Sequence, residues 1–535
     1  MMWVILTILF FSSVFADLSI DLPDGKVRGH EIQSQNGSIY AFQGIPYATP
    51  PLGNLRFQSP LPPQPWNDIL EANQTRESCI ELLPFTSQSE DCLYVNVYTP
   101  ARQITESLPV LVWIYGGGLI TGSGSYEQYG PDALVKEDII VVTFNYRIAL
   151  FGFLSTGDDA ILGNAGLKDQ LQLLKWVKSN IAYFGGDPDK VTISGQSAGG
   201  ISVGVHVVNS KAAGLFRGAI CQSGCSLTRL DITSQKDPRK VAYDLAKIVN
   251  PSVSDSNTTS EIKDLLQSVD VEVLRANMGT PTGVVLEPDV EGAYVTELSF
   301  TQLESGNFNR VPLILGFVSE ESLAFQISFL PALMLQGLQY DTNVTQLLPS
   351  DFLPQENVST KEVGNLIKEA YVGKDGYFFL NPAKVLQFAS DNMFVRSILK
   401  QAEVQSNFTP VYLYQFSYYG TMSQSRPVIE GAGKVAHADE LAYLFNTEKW
   451  LKTDADFLAS KRFVRLWTNF AKTLNPTPDE TDPVLNITWP QVTPANAQYI
   501  DIDDTLQIKS NIKAQESTMW DNVFYNYGRQ PFTGF

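Results

Sequence analysis

Short apolar runs rich in β-branched residues recur along the chain: LPVLVWIY (108–115), IIVVTFNYR (139–147), VTIS (191–194), GAICQ (218–222), VPLILGF (311–317) and PVYLYQFSY (410–418). Their hydrophobicity is continuous rather than alternating, which predicts strands covered on both faces. Between them lie helical patterns, clearest in GLKDQLQLLKWVKSNIAYFG (166–185), where apolar positions recur every three or four residues and Gly185, Gly186 and Pro188 end the run. Such strands alternating with helices predict an α/β fold with a central, mostly parallel sheet flanked by helices. In sheets of this kind ligands bind at the carboxyl ends of the strands. A length of 535 residues would accommodate about three or four domains. No repeat, low-complexity tract or long linker marks a division, so one large unit over residues 17–535 is expected.

Two strand ends are unusual. After VLVWIY comes GGGLITGSGS (116–125), which fits neither the dinucleotide spacing G-x-G-x-x-G nor a phosphate loop. Glycines there instead let backbone N–H groups approach a reacting carbonyl, and Gly117 and Gly118 are candidate oxyanion donors. The second is VTISGQSAGG (191–200), a strand running directly into G-x-S-x-G and then a helix. That arrangement is the nucleophile elbow, which lifts a serine hydroxyl above the sheet edge; it nominates Ser197 as nucleophile and the Ala198 N–H as a third donor.

A serine hydroxyl needs a base, and the chain has three histidines. His206 lies nine positions beyond Ser197 on the same expected helix, about 13 Å of rise away, and reads as a packed core residue. His30 sits in a polar stretch near the amino end and reads as an exposed strand position. His437 remains, in GKVAHADELAYLF (433–445), a loop after the strand 410–418 and before an expected amphipathic helix. An orienting carboxylate should fall between Ser197 and His437. Glu320 and Glu321, after VPLILGF, both qualify, and periodicity does not separate them.

Residues 1–16, MMWVILTILFFSSVFA, predict a cleaved signal peptide and a secreted protein without a stable membrane anchor. Seven N-x-S/T sequons, at Asn36, Asn73, Asn257, Asn343, Asn357, Asn407 and Asn486, agree with secretion. Cys79 and Cys92 could close a short loop worth about 3 kcal/mol. Cys221 and Cys225 are ambiguous between buried thiols and a bridge. Neither pair has a histidine at metal-ligand spacing, so no metal or cofactor is expected. A net charge of −19 makes nucleic acid an improbable partner. Oligomeric state is not legible in the pattern. The apolar stretch ESLAFQISFLPALMLQGLQY (321–340) predicts a hydrophobic pocket suited to uncharged small-molecule esters.

The segments FQGIPYATPPLGNLRF, EDCLYVNVYTP, VWIYGGG, NYRIALFGFLST, GNAGLKDQLQLLKWVKSNIAYFGGDPDKVTISGQSAGG and HADELAYLF resemble the type B carboxylesterase and cholinesterase family over nearly the whole mature chain. The wording is most similar to secreted insect carboxylesterases, the group of juvenile-hormone and odorant-degrading esterases. The resemblance implies an α/β-hydrolase fold and ester hydrolysis by Ser197, Glu321 and His437, choosing Glu321 over Glu320. It further implies an oxyanion hole of Gly117, Gly118 and Ala198, a Cys79–Cys92 disulfide, and structural ion pairs Arg56–Glu90 and Arg147–Asp169. The chain departs from the family at Tyr115, where many carboxylesterases have His, at Leu119, where an aromatic is usual, and at Gln196, where Glu is usual. It also lacks the choline-site tryptophan within the first disulfide loop and the cysteines of the second family disulfide, for which Cys221 and Cys225 could be a local substitute. Members that kept the fold and lost the triad, or that sequester esters and barely turn them over, are the alternative.

Overall fold

The structure is a computed structural model that describes residues 18–34, 37–82, 87–100, 106–229, 237–325, 330–493 and 496–535. The expected signal peptide and the sequon at Asn36 lie outside the described residues. Among those residues an eleven-stranded sheet dominates. Its strands are β1 (His30–Ser34), β2 (Gly37–Pro46), β3 (Tyr94–Pro100), β4 (Leu108–Ile114), β5 (Ile140–Phe144), β6 (Gly186–Gln196), β7 (Gly218–Gln222), β8 (Leu313–Val318), β9 (Val411–Phe416), β10 (Gln498–Ile502) and β11 (Leu506–Ser510). They lie in the order β11-β10-β9-β8-β7-β6-β4-β5-β3-β2-β1. The stretch from β10 to β5 is parallel throughout. Antiparallel strands close both sides.

The six apolar runs all became strands of the parallel stretch, and alternate residues of one strand feed two different cores. Val110, Val112 and Ile114 of β4 join one cluster with Ile193 and Leu315, while Leu111 and Trp113 join another with Ile314 and Tyr414. A strand buried on both faces has no polar face to show, which is why the sequence does not alternate. The predicted helix forms as α1 (Ala165–Asn180).

Strand β4 has β5 on one side and β6 on the other, so chain direction across the sheet reverses there. The crevice between the ends of β4 and β6 is the topological switch point, where open α/β sheets take their ligands. Both unusual strand ends open into it.

Pairings expected from the family resemblance are present. Cys79 and Cys92 are bonded. Arg56 reaches both carboxylate oxygens of Glu90 at 2.6 and 2.7 Å, and Arg147 reaches both of Asp169 at 2.8 and 2.7 Å. Cys221 and Cys225 are both free and buried, which corrects the idea of a local bridge. His206 is a packed core residue: its ring meets Tyr294 and Gln170 at 2.6 and 2.8 Å, and burial pushes its pKa down to about 3. His30 is half-buried on β1 rather than exposed. Of the sequons within the described residues, Asn73, Asn343, Asn357, Asn407 and Asn486 are exposed and Asn257 is half-buried.

Arg147 follows β5 and Asp169 lies on α1, so this fully buried pair fixes the helix to the strand end beside the crevice. Removing the acid strands a buried guanidinium. Asp169→Ala is expected to lower unfolding free energy by about 3–5 kcal/mol in urea denaturation, and replacing both partners by apolar residues to cost less.

Candidate active site

The turn after β6 is shaped by what its glycines lack. A Cβ on Gly199 would overlap the carbonyl oxygen of Ile114 at the end of β4, and a Cβ on Gly195 would overlap the Gly199 carbonyl. With both absent, the strand runs against α2 (Ala198–Val208) through a single residue, Ser197, at φ 58° and ψ −127°. A non-glycine residue in that conformation is strained, as the elbow geometry requires. Opposite it, Gly117, Gly118 and Leu119 take left-handed φ values of 100°, 64° and 60° in succession. The N–H groups of Gly117 and Gly118 make no hydrogen bond among the described contacts. Ala198 is the first residue of α2, where an N–H has no intrahelical partner.

His437 arrives from the loop after β9. Its Nδ1 lies 2.5 Å from Glu321 Oε2, and Glu321 Oε1 accepts the Val318 N–H at 3.0 Å. Glu321 is fully buried at the end of β8. That contact puts the proton on Nδ1 and leaves Nε2 with its lone pair. The ring is flanked by Phe394, stacked at 4.6 Å between centroids, and by Phe325 at 5.1 Å. The loop is fixed by Asp439, which accepts from Arg426, Ser423 and the Ala436 N–H. Instead of the expected amphipathic helix, a short 3-10 turn, Asp439–Tyr443, follows His437.

Glu320 has a different task from its neighbour. It accepts from Ser390 at 2.5 Å and from the Gly433 N–H at 3.1 Å, tying the helix α4 described below to the loop that carries His437. Burial raises its pKa to about 7.

Ser197, Gly117, Gly118 and His437 share the wall of one cavity of about 780 Å³. Glu321 stands behind the imidazole and Ala198 behind the serine, and neither lines the cavity. The Ser197 hydroxyl is not hydrogen bonded to His437. The Gln196 amide nitrogen occupies Nε2 instead, at 3.1 Å. Such contacts tighten only when substrate is present in many hydrolases.

The apolar stretch at 321–340 contributes less than expected. The helix α3 (Leu330–Thr342) turns Gln336 and Tyr340 to the cavity, buries Leu333 and exposes Leu330, Leu335 and Leu338. Residues 326–329 lie outside the described residues. Leu119 is buried in the core and does not line the cavity. A wall that sequence reasoning missed comes from α4 (Pro382–Ser390), a π-helical turn Asp391–Val395, and α5 (Arg396–Gln405), which run on end to end. This run supplies Phe388, Ala389, Asn392, Met393 and Arg396 to the cavity, and no motif marks it in the sequence.

Glu440 was legible only as part of the HADEL segment. It is fully buried, one oxygen meets Gln222 at 3.4 Å, and the other has no partner among the described residues. Burial, together with the nearby charge of Glu321, pushes its pKa up to about 8. As pH rises from 4.5, an unfolded glutamate releases a proton that Glu440 retains, so folding stability declines through about 8, with Glu320 adding to the decline up to about 7. Thermal melts from about pH 5 to about pH 9 should show this alkaline loss, and Glu440→Gln should make it shallower.

The comparisons with known proteins agree with this geometry. The family model described as the carboxylesterase family matches residues 16–520. A juvenile hormone esterase of Tribolium castaneum is 34% identical over 87% of this chain and 84% of its own length. An acylcarnitine hydrolase of Mus musculus is 33% identical over 93% and 89%. The crystal structure of juvenile hormone esterase from Manduca sexta, with OTFP covalently attached, superposes with a TM-score of 0.82 at 29% identity, covering 95% of this chain and 99% of that one. With the sheet order and switch point described above, these matches make the fold an α/β-hydrolase and the protein a carboxylic ester hydrolase: the chain belongs to the carboxylesterase family.

Proposed function

We propose that the protein is a secreted serine carboxylesterase in which Ser197, His437 and Glu321 act as a triad. The observation that carries the reading is an imidazole met by a buried carboxylate on Nδ1, lining one cavity with the elbow serine and two glycines whose N–H groups are unpaired among the described residues. In this mechanism His437 Nε2 takes the Ser197 proton as Oγ attacks the ester carbonyl. The oxyanion is held by the N–H groups of Gly117, Gly118 and Ala198, each worth about 3–4 kcal/mol. The imidazolium then protonates the departing alcohol, and Glu321 stabilises its charge. Water repeats the attack on the acyl-enzyme with the same base.

The substrate in this reading is a hydrophobic ester, uncharged around the scissile bond. Phe325, Leu348, Phe388, Met393 and Leu441 supply apolar wall, and no acid lines the cavity among the described residues to receive a quaternary ammonium. The relatives are named for small-molecule esters, juvenile hormone and acylcarnitine, in keeping with a small ester as substrate. Secretion with glycosylation is supported by the apolar amino-terminal run and the exposed sequons. No helix among the described residues is long and apolar enough to cross a membrane.

One observation favours a second reading, slow ester sequestration: the Gln196 amide stands where the serine hydroxyl must hand over its proton. Nitrophenyl acetate separates the two. A carboxylesterase gives sustained release, whereas a sequestering protein gives one stoichiometric burst and stalls. Ser197→Ala is expected to cut kcat by about a millionfold while circular dichroism stays native. More than about a hundredth of the activity retained would exclude Ser197 as nucleophile.

A further inference from the structure

The chain carries a net charge of −19, yet the described residues that line its catalytic cavity include two arginines, Arg229 and Arg396, and no aspartate or glutamate. Placing excess positive charge in a cleft of an otherwise acidic protein focuses an attractive field for anions.

Arg396 is 5% exposed and lies on the face of the α4–α5 run that also presents Ala389 and Met393 to the cavity. Its Nε donates to the Asn392 carbonyl at 3.0 Å and its Nη2 to Asp351 at 2.8 Å, while the guanidinium lies over the rings of Trp520 and Phe524. Its Nη1 is buried with no acceptor among the described residues. Buried N–H groups are normally paired, and Arg396 borders both the catalytic cavity and a second one of about 210 Å³ on its Trp520 side, so its unpaired N–H is a place for a ligand oxygen. The next basic residue on the helix, Lys400, is by contrast paired with both Glu403 and Asp521 at 2.6 Å.

Arg229 enters from the loop after β7. Its Nε donates to the Thr533 carbonyl at 3.1 Å, it makes no ion pair among the described residues, and the acid acting on its charge is again Asp351. One carboxylate therefore serves two guanidiniums. Neither arginine touches Ser197 or His437. Arg396 is two residues beyond Phe394, whose ring stacks on the imidazole, so the helical run that carries the arginine also borders His437.

We propose that Arg229 and Arg396 bind a carboxylate carried by the ester away from its scissile bond, so that the preferred substrates are hemiesters of dicarboxylic acids or esters of hydroxy acids with an apolar spacer. The guanidinium fork matches a carboxylate, and the spacer lies along Met393 and Phe388. The inference rests on the esterase reading and specifies its substrate class.

Matched pairs test it: nitrophenyl hydrogen octanedioate against nitrophenyl octanoate on the acyl side, and the acetate ester of 6-hydroxyhexanoate against hexyl acetate on the alcohol side. The readout is the ratio of kcat/KM for the charged over the neutral ester. In at least one pair the ratio should fall by about tenfold or more in Arg229→Met, with partial recovery in Arg229→Lys, the size expected of a lost charge-assisted hydrogen bond. Arg396→Met should move the same ratio the same way. Since its pairing with Asp351 also supports the fold, Arg229→Met is the deciding variant. Hydrolysis of the neutral esters with a ratio unchanged by Arg229→Met in both pairs overturns this inference alone. A wild type that hydrolyses no member of either pair overturns the esterase reading and this one with it.

Discussion

Everything at the site depends on backbone meeting backbone without side chains between. Gly199 touches the end of β4, Gly195 touches Gly199, Gly116 meets the Gln196 carbonyl, and Gly224 meets the carbonyl of Ser197. A Cβ at any of these positions would overlap a neighbouring main-chain atom. The ends of β4, β6 and β7 are thereby drawn into one cluster, and the glycine loop and Ser197 share one cavity wall. Neither the strained serine nor the left-handed loop would hold alone. The double-sided burial of β4 and β6, with Arg147 and Asp169 fixing α1 beside them, supplies the rigidity that keeps both in place.

Three buried glutamates show how one residue type is divided among tasks by its surroundings. Glu321 accepts a backbone N–H on one oxygen and meets the imidazole with the other. Glu320, next in the chain, points away and joins α4 to the His437 loop. Glu440 has few donors and a charged neighbour, and it keeps its proton near neutrality.

The cavity wall divides in the same way. Apolar side chains such as Phe325, Phe388 and Met393, neutral amides such as Gln336 and Asn392, and the guanidiniums of Arg229 and Arg396 all line it. Gln196 belongs to this electrostatic pattern, because a glutamate at that position would set a negative charge against Nε2, whereas the amide donates to it without charge.

The sequence by itself determined the parallel strands, α1, the tight turn at Ser197 and the glycine loop, and it nominated His437 as the base. All are local signals: hydrophobic periodicity, glycines that turns require, and elimination among three imidazoles. It left Glu320 and Glu321 equivalent by position, since adjacent residues differ only in direction and direction is set by what packs on each. It could not assign the faces of α3, where leucines and glutamines alternate around the helix and only the neighbouring helix decides which side is wet. Nor could it show that Arg396, nearly two hundred residues beyond Ser197, shares a cavity with it. Contacts between distant segments depend on how layers stack over the sheet, and that arrangement exists only once the chain has buried both faces of its strands.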